Sequence, residues 1–270
     1  DTLSLHDALP ILERIIGPIG NGCTKPLRGI IDGQECIIKT FNNEQSNRTL
    51  VNEYVGYEIA KKLDLNIPNS GICIIDENTE INKDKVPYWS DDFLGLGFYS
   101  VRINKISTII SPIIIQSMVS NINMIIDIVL FDHLICNKDR NKGNILLQQN
   151  NTDALLYIID HSHIFNLGTL WDEYQLQRLI NEDDYTSNEV LSDNSYMYGI
   201  FRQAYKFTKE NLYACADKFK KVLNREFLEH TINSIPDVWS VSANEKNALL
   251  NYICYRLNNL YNICDIILNN

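Results

Sequence analysis

Asn137-Lys138-Asp139-Arg140-Asn141-Lys142-Gly143-Asn144 is a polar loop held between apolar neighbours. Upstream, Ser120–Ile135 is apolar nearly all round, apart from Ser120, Asn121, Asn123, Asp127, Asp132 and His133, which predicts a buried central helix. Downstream, Ile145–Leu147 and Leu155–Ile159 predict two short strands joined by a turn at Asn150–Asp153, the second running into Asp160-His161. A buried helix thus delivers the loop and a hairpin carries the chain away. Phosphoryl transfer needs a carboxylate that orients the accepting hydroxyl and hard oxygen ligands for Mg²⁺. Asp139 suits the first task, Asn144 and Asp160 the second. A plain polar connection, with Asp and Asn capping turns around Gly143, fits the same residues. The amino-terminal half separates the two readings.

That half reads as strands around one helix. Ile11–Ile16 is largely apolar and runs into Gly17-Pro18-Ile19-Gly20-Asn21-Gly22. Leu27–Ile31 and Gln34–Lys39 flank Asp32-Gly33, a strong hairpin turn, so a lysine closes the second strand. After a polar loop, Leu50–Leu65 shows helical periodicity, stopped by Asn66-Ile67-Pro68, and Ser70–Ile75 is strand-like. Asp76–Lys85 is expected to be a charged surface turn. A nucleotide site needs a cation for the α/β-phosphates and an acid that holds it, which Lys39 and Glu53 supply, with Glu58 as the rival acid. Gly20 and Gly22 offer backbone N–H groups to phosphate oxygens, although a G-x-G pair alone is equally a turn. No G-x-x-x-x-G-K-[ST] occurs, which argues against a P-loop.

Other readings of these residues are weaker. His133, His161 and His163 invite a zinc site, but no H-E-x-x-H spacing supports one. Ser162, His163 and Asp160 invite a hydrolase triad, yet nothing resembles a nucleophile elbow. Tyr88, Trp89, Phe93, Phe98 and Tyr99 read as core between lobes, with a place in the nucleotide cleft as the alternative, and an inter-lobe hinge is expected around Phe98–Val101. Arg140 and Lys142 read as loop cations, either solvated or facing phosphate. Beyond residue 169, helices are expected over Leu170–Ile180, Tyr196–Lys206, Lys209–Leu223, Arg225–Ser234 and Glu245–Ile267.

Composition bounds the rest. The 270 residues carry 24 Lys and Arg against 34 Asp and Glu, a formal charge of −10. That balance disfavours direct nucleic-acid binding, which wants a concentrated basic face. The seven cysteines are widely spaced without a C-x-x-C pair, so a reducing, cytoplasmic setting is expected rather than a disulfide scaffold. The apolar runs are too interrupted for a membrane span.

Taken together, Lys39, Glu53, Asn66-Ile67-Pro68, Asn137-Lys138-Asp139-Arg140 through Asn144, and Ile159-Asp160-His161 resemble the HipA-like kinase domain family, over roughly residues 10–170. That family lies within the broad protein-kinase-like fold that also includes phosphatidylinositol 3/4-kinases. The resemblance implies an α+β, bilobal protein-kinase-like fold. Its small, mainly antiparallel β lobe with one key helix (residues 1–100) would bind nucleotide, and a larger helical lobe (residues 101–270) would hold the catalytic machinery. It implies ATP- and Mg²⁺-dependent transfer to a hydroxyl, most naturally on a protein serine or threonine. Asp139 would be the catalytic aspartate, Asn144 and Asp160 the Mg²⁺ ligands, Lys39 the partner of Glu53, and Asp132 a structural acid ahead of the loop. Asn137-Lys138-Asp139 in place of His-Arg-Asp, and Asp160-His161-Ser162 in place of Asp-Phe-Gly, suit the atypical branches better than ordinary protein kinases. The expected partner is a hydroxyl-bearing protein acceptor, with an antitoxin or other regulatory protein as a second class. The chain is short for the extra amino-terminal subdomain of HipA toxins, so a compact kinase of this type is expected. A phosphoinositide or small-molecule kinase, and a nucleotide-binding pseudokinase or regulatory module, are the alternatives.

Overall fold

The computed structural model describes residues 9–20, 24–107 and 109–270. Strand β1 (Arg14–Pro18) is followed by β2 (Leu27–Ile31) and β3 (Gln34–Lys39). The hairpin between β2 and β3 pairs Ile31 with Gln34 across two residues of positive φ, Asp32 at 47° and Gly33 at 70°. Both central residues of such a turn sit in the left-handed region, where Asp-Gly is at ease. Inward Leu27 and Ile31 alternate with half-buried Arg28 and Ile30, the pattern of a sheet covered on one face.

Helix α1 (Arg48–Lys62) follows, then β4 (Ser70–Ile75), the two-residue β5 (Glu80–Ile81) and β6 (Gly95–Val101). The six strands order as β4-β6-β3-β2-β1-β5, antiparallel except where β5 lies parallel to β1. The 76–85 stretch is therefore not all turn. Glu80 and Ile81 pair with Arg14 and Ile15, covering a sheet edge. Phe98–Val101, expected at the hinge, is instead ladder: β6 bonds to β3 and β4 through Val101, and residues 102–105 make the link to the next strand.

In the second half, β7 (Ile106–Ser107), β8 (Ile145–Gln149) and β9 (Ala154–Ile158) form a separate antiparallel sheet. Helices α2 (Pro112–Met118) and α3 (Met124–Leu134) precede the polar loop, and α3 is buried on every side but Asp127. Seven helices complete this half: α4 (Glu173–Asn181), α5 (Glu189–Asp193), α6 (Ser195–Ala204), α7 (Lys209–Val222), α8 (Arg225–Asn233), α9 (Ala243–Asn258) and α10 (Leu260–Asn269). The single helix expected over Glu245–Ile267 is broken at Asn259, whose own N–H still bonds back into α9. Both halves keep the heptad-like spacing, so periodicity alone carries no mark of the break. The architecture is a bilobal protein-kinase-like fold: a sheet lobe with one helix and a larger helical lobe. Among the described residues, no helix is long and apolar enough to cross a membrane.

Candidate functional site

Two clusters meet where the lobes face each other. In the first, Lys39 at the end of β3 makes an ion pair with Glu53 of α1 and donates to Asp160 Oδ1 at 3.0 Å. Glu58, the rival acid, makes no bond to this lysine. Glu53 Oε2 accepts the backbone N–H of His161 at 3.2 Å, so its two oxygens span the strand end and the Asp160 segment. Asp160 follows β9 with φ of 60°, a left-handed conformation that Asp tolerates better than most side chains. Ser162 donates its hydroxyl and its N–H to Asp160 Oδ1.

The electrostatics follow from burial and these contacts. Burial alone would deprotonate Lys39, but Asp160 and Glu53 hold it protonated above its ordinary range. Burial would raise Asp160, yet the Lys39 ammonium and the Ser162 hydroxyl keep its carboxyl well below the usual carboxylate range. Glu53 rises to about 7, driven by burial against the pull of Lys39, with the Asp160 charge adding to the rise. His161 is buried, edge-on to Phe131, and falls to about 3 because burial and then Arg140 disfavour its cation. Helix α1 passes so close that a Cβ on Gly56 would stand 2.7 Å from His161 Cβ.

In the second cluster, Asn144 donates its amide to Asp139 O at 2.7 Å and to Asp139 Oδ2 at 3.2 Å. Asn141 Nδ2 donates to Asp139 Oδ1 at 2.7 Å, which leaves the exposed Asp139 carboxylate held but open to solvent. The clusters are joined through backbone: Ile159 N–H donates to Asn144 O at 3.2 Å, so the hairpin register sets Asn144 beside the residue before Asp160. Arg140 reinforces that join by donating to the carbonyls of Asn144 at 3.0 Å and Ile159 at 3.1 Å. It is no loop cation. Fully buried, it forms an ion pair with Asp132 at 2.8 Å, a carboxylate that also accepts from Asn137 Nδ2 and Tyr198 Oη.

Asn144 Oδ1 and Asp160 Oδ2 accept no hydrogen bond from the described residues. Two hard oxygens with their other atoms already engaged suit Mg²⁺, which takes one or two protein oxygens and fills its octahedron with phosphate and water. Among the described residues, no three His, Cys, Asp or Glu side chains gather as a metal site. Ser162 Oγ lies 3.2 Å from His163 Nδ1, but it is buried and directed at Asp160, the wrong disposition for a nucleophile. Gly20 is exposed, with open space where a Cβ would stand, and the Ile19 N–H to Pro26 O bond closes the base of its loop. No hydrogen bond among the described residues ties Gly20 to either cluster, and Gly22 lies outside the described residues.

Sequence reasoning passed over three residues that hold the site together. Asn52, beside Glu53, is buried and donates to Ser162 O and Gly168 O. Trp171 donates its indole N–H to Asn52 Oδ1, and Trp239 donates to Leu96 O in β6. An asparagine inside an otherwise apolar helical stripe was the one available signal.

Comparison with known proteins bears on the fold and the family. A crystal structure of a Helicobacter pylori proinflammatory kinase, CtkA, superposes with a TM-score of 0.59 at 11% identity, over 94% of this chain and 96% of that one. The Golgi casein kinase with Mn/ADP bound gives 0.55 at 11% identity, over 96% and 75%. These identities speak to the fold alone. No curated protein matches in sequence. The sequence model described as HipA-like kinase matches residues 12–265, nearly the whole chain. With a lysine, two acids and an Asp–Asn pair gathered at the lobe junction, the chain belongs to the HipA-like kinase family and is a phosphotransferase.

Proposed function

We propose that the protein is an ATP- and Mg²⁺-dependent kinase that phosphorylates serine or threonine hydroxyls of a protein acceptor. The contact of Lys39 with both Glu53 and Asp160 carries this reading, because it joins the sheet lobe's cation to the helical lobe's metal-ligating acid. On this reading, residues 1–100 form the nucleotide-binding lobe and 101–270 the catalytic and helical lobe, with the 102–105 link between them. When bound, ATP with its divalent cation supplies the phosphoryl group and neutralises the charge that develops on it. Lys39, kept protonated, would hold the α/β-phosphate oxygens, and Gly20 and Gly22 would offer their N–H groups. Asn144 Oδ1 and Asp160 Oδ2 would hold the cation. Asp139, exposed and oriented by Asn141 and Asn144, would accept the proton of the attacking hydroxyl. The negative formal charge favours a protein acceptor over an anionic lipid surface. The casein kinase comparison, with its Mn and ADP, is of the same chemical class.

The test is incubation with γ-labelled ATP and Mg²⁺, with casein or phosphoinositide vesicles as acceptor. Label on protein is expected, lost in Asp160→Ala and reduced about 10²- to 10⁴-fold in Asp139→Asn, the range of a removed acid–base group. Label only on lipid, or unchanged turnover in a folded Asp139→Asn protein, overturns the assignment.

A further inference from the structure

Resting on the reading of Lys39 and Glu53 as the phosphate-holding pair, we propose that Asn52, capped by Trp171, is a positioning residue that locks α1 onto the segment following Asp160. Its carboxamide is fully buried and makes three hydrogen bonds to that segment. Nδ2 donates to Ser162 O at 2.7 Å and to Gly168 O at 2.9 Å, and Oδ1 accepts from Trp171 Nε1 at 2.9 Å. One side chain therefore closes residues 162–171 into a loop and fastens it to the helix one residue from Glu53.

The loop is built to be held this way. Phe165, Asn166 and Gly168 all take positive φ, folding the chain tightly. Phe165 N–H donates to Ile135 O at 2.7 Å, tying the loop to the end of α3. A second fastening lies one turn earlier on α1. The Arg48 guanidinium stacks over the Trp171 ring at 4.2 Å and pairs with Glu245, whose other oxygen caps α9 by accepting the Ser242 N–H at 2.8 Å. Glu53 meets Lys39 only if α1 keeps this azimuth and height, and its amide partner on the loop is His161 N–H, the residue just before Ser162. The fastening of α1 to this loop is thus made by a neutral carboxamide and an indole, with the stacked Arg48 and its partner Glu245 beside it.

The test reads the Lys39–Glu53 pair directly, without nucleotide. The full chain is acylated with an N-hydroxysuccinimide acetate ester at a temperature where each variant is fully folded. Lys39 labelling is then measured against the exposed Lys83 by peptide mass spectrometry. In the wild type, Lys39 is buried between two carboxylates, and slow labelling is expected. Asn52→Ala is expected to raise the Lys39:Lys83 ratio about 10-fold, the scale of losing buried hydrogen bonds. Trp171→Phe keeps an aromatic ring but removes the indole N–H bond to Asn52 and some of the buried ring surface, with about a 3-fold rise expected. Should Asn52→Ala not fold, Trp171→Phe carries the test alone. A merely structural asparagine would lower the melting temperature and leave both ratios unchanged, which overturns the proposal. The labelling needs no turnover, so inactivity of the wild type would count against the proposed function while this readout still decides the lock.

Discussion

Two ion clusters lie within one loop's reach of each other and are built to opposite ends. Around Asp132, Arg140 is completely enclosed, and each polar atom of the carboxylate meets a protein donor from Arg140, Asn137 or Tyr198. Around Asp160, one oxygen alone is engaged by the described residues, Lys39 and Ser162, and the side chain keeps 36% of its surface exposed. A closed cluster fixes backbone, because both charges are matched inside the fold. An open cluster keeps oxygen and ammonium capacity for something that arrives. Arg140 connects the two by holding the carbonyls of Asn144 and Ile159, so the closed pair sets the geometry of the open one.

Removing half of the closed pair is the strongest way to break this contrast. Arg140→Ala leaves Asp132 buried and unmatched, and about 3–5 kcal/mol of stability is expected to go, read by urea denaturation. The double variant Asp132→Leu/Arg140→Met should recover only part of that stability, since it removes the unmatched charge but leaves Asn137 Nδ2, Tyr198 Oη and the carbonyls of Asn144 and Ile159 without these partners. Turnover should stay low in the double variant, because the tie to Asn144 and Ile159 is gone. Full activity there would mean that the closed cluster has no hold on the open one.

Acid sharpens the contrast with a smaller effect. His161 and His133 have folded values of about 3 against 6.5 when free, both lowered chiefly by burial. Their contribution to stability is complete above pH 6.5 and falls as pH drops from 6.5 towards 3, each by about 1.4 kcal/mol per pH unit. Glu53, raised to about 7 from 4.5, works in the opposite sense between those values, so the comparison must be made against a variant. His161→Phe should melt at pH 5 closer to its pH 7.5 temperature than the wild type does. Equal shifts in both proteins would mean that His161 titrates normally in the fold. Asp160 stays ionised throughout this window, held by Lys39 and Ser162.

The smallest change is expected at the rim. Lys138 bonds Glu189 at 3.0 Å and Asn166 at 2.8 Å, with both charged side chains partly exposed. Lys138→Ala should cost about 0–1 kcal/mol, the worth of an exposed pair, by the same denaturation curve. A loss on the scale of Arg140→Ala would make the loop's cations equivalent, contrary to their burial.

The placement of Lys39, Glu53, Asp139, Asn144 and Asp160 was legible in the sequence, because each sits at a strand end, an early helical turn or a loop fixed by local punctuation; their roles are the proposal made above. Arg140 was not, since a cation between Asp139 and Asn141 looks solvated until the hairpin and α6 close over it. The hairpin turn at Asp32-Gly33 was legible from residue type. The parallel pairing of Glu80 and Ile81 to β1 was not, because a two-residue strand has no periodicity to read.

The sequence by itself determined the lobe order, the apolar α3 that delivers the 137–144 loop, and the identity of the polar side chains, since these follow from local propensity and period. The tertiary structure decided which charges are enclosed and which stay open, and how α1 is held through Asn52, Arg48, Trp171 and Glu245. Those partners stand 110 to 197 positions apart in the chain. The free energy of burying a charge or an amide depends on what surrounds it, and only the closed fold supplies that surrounding.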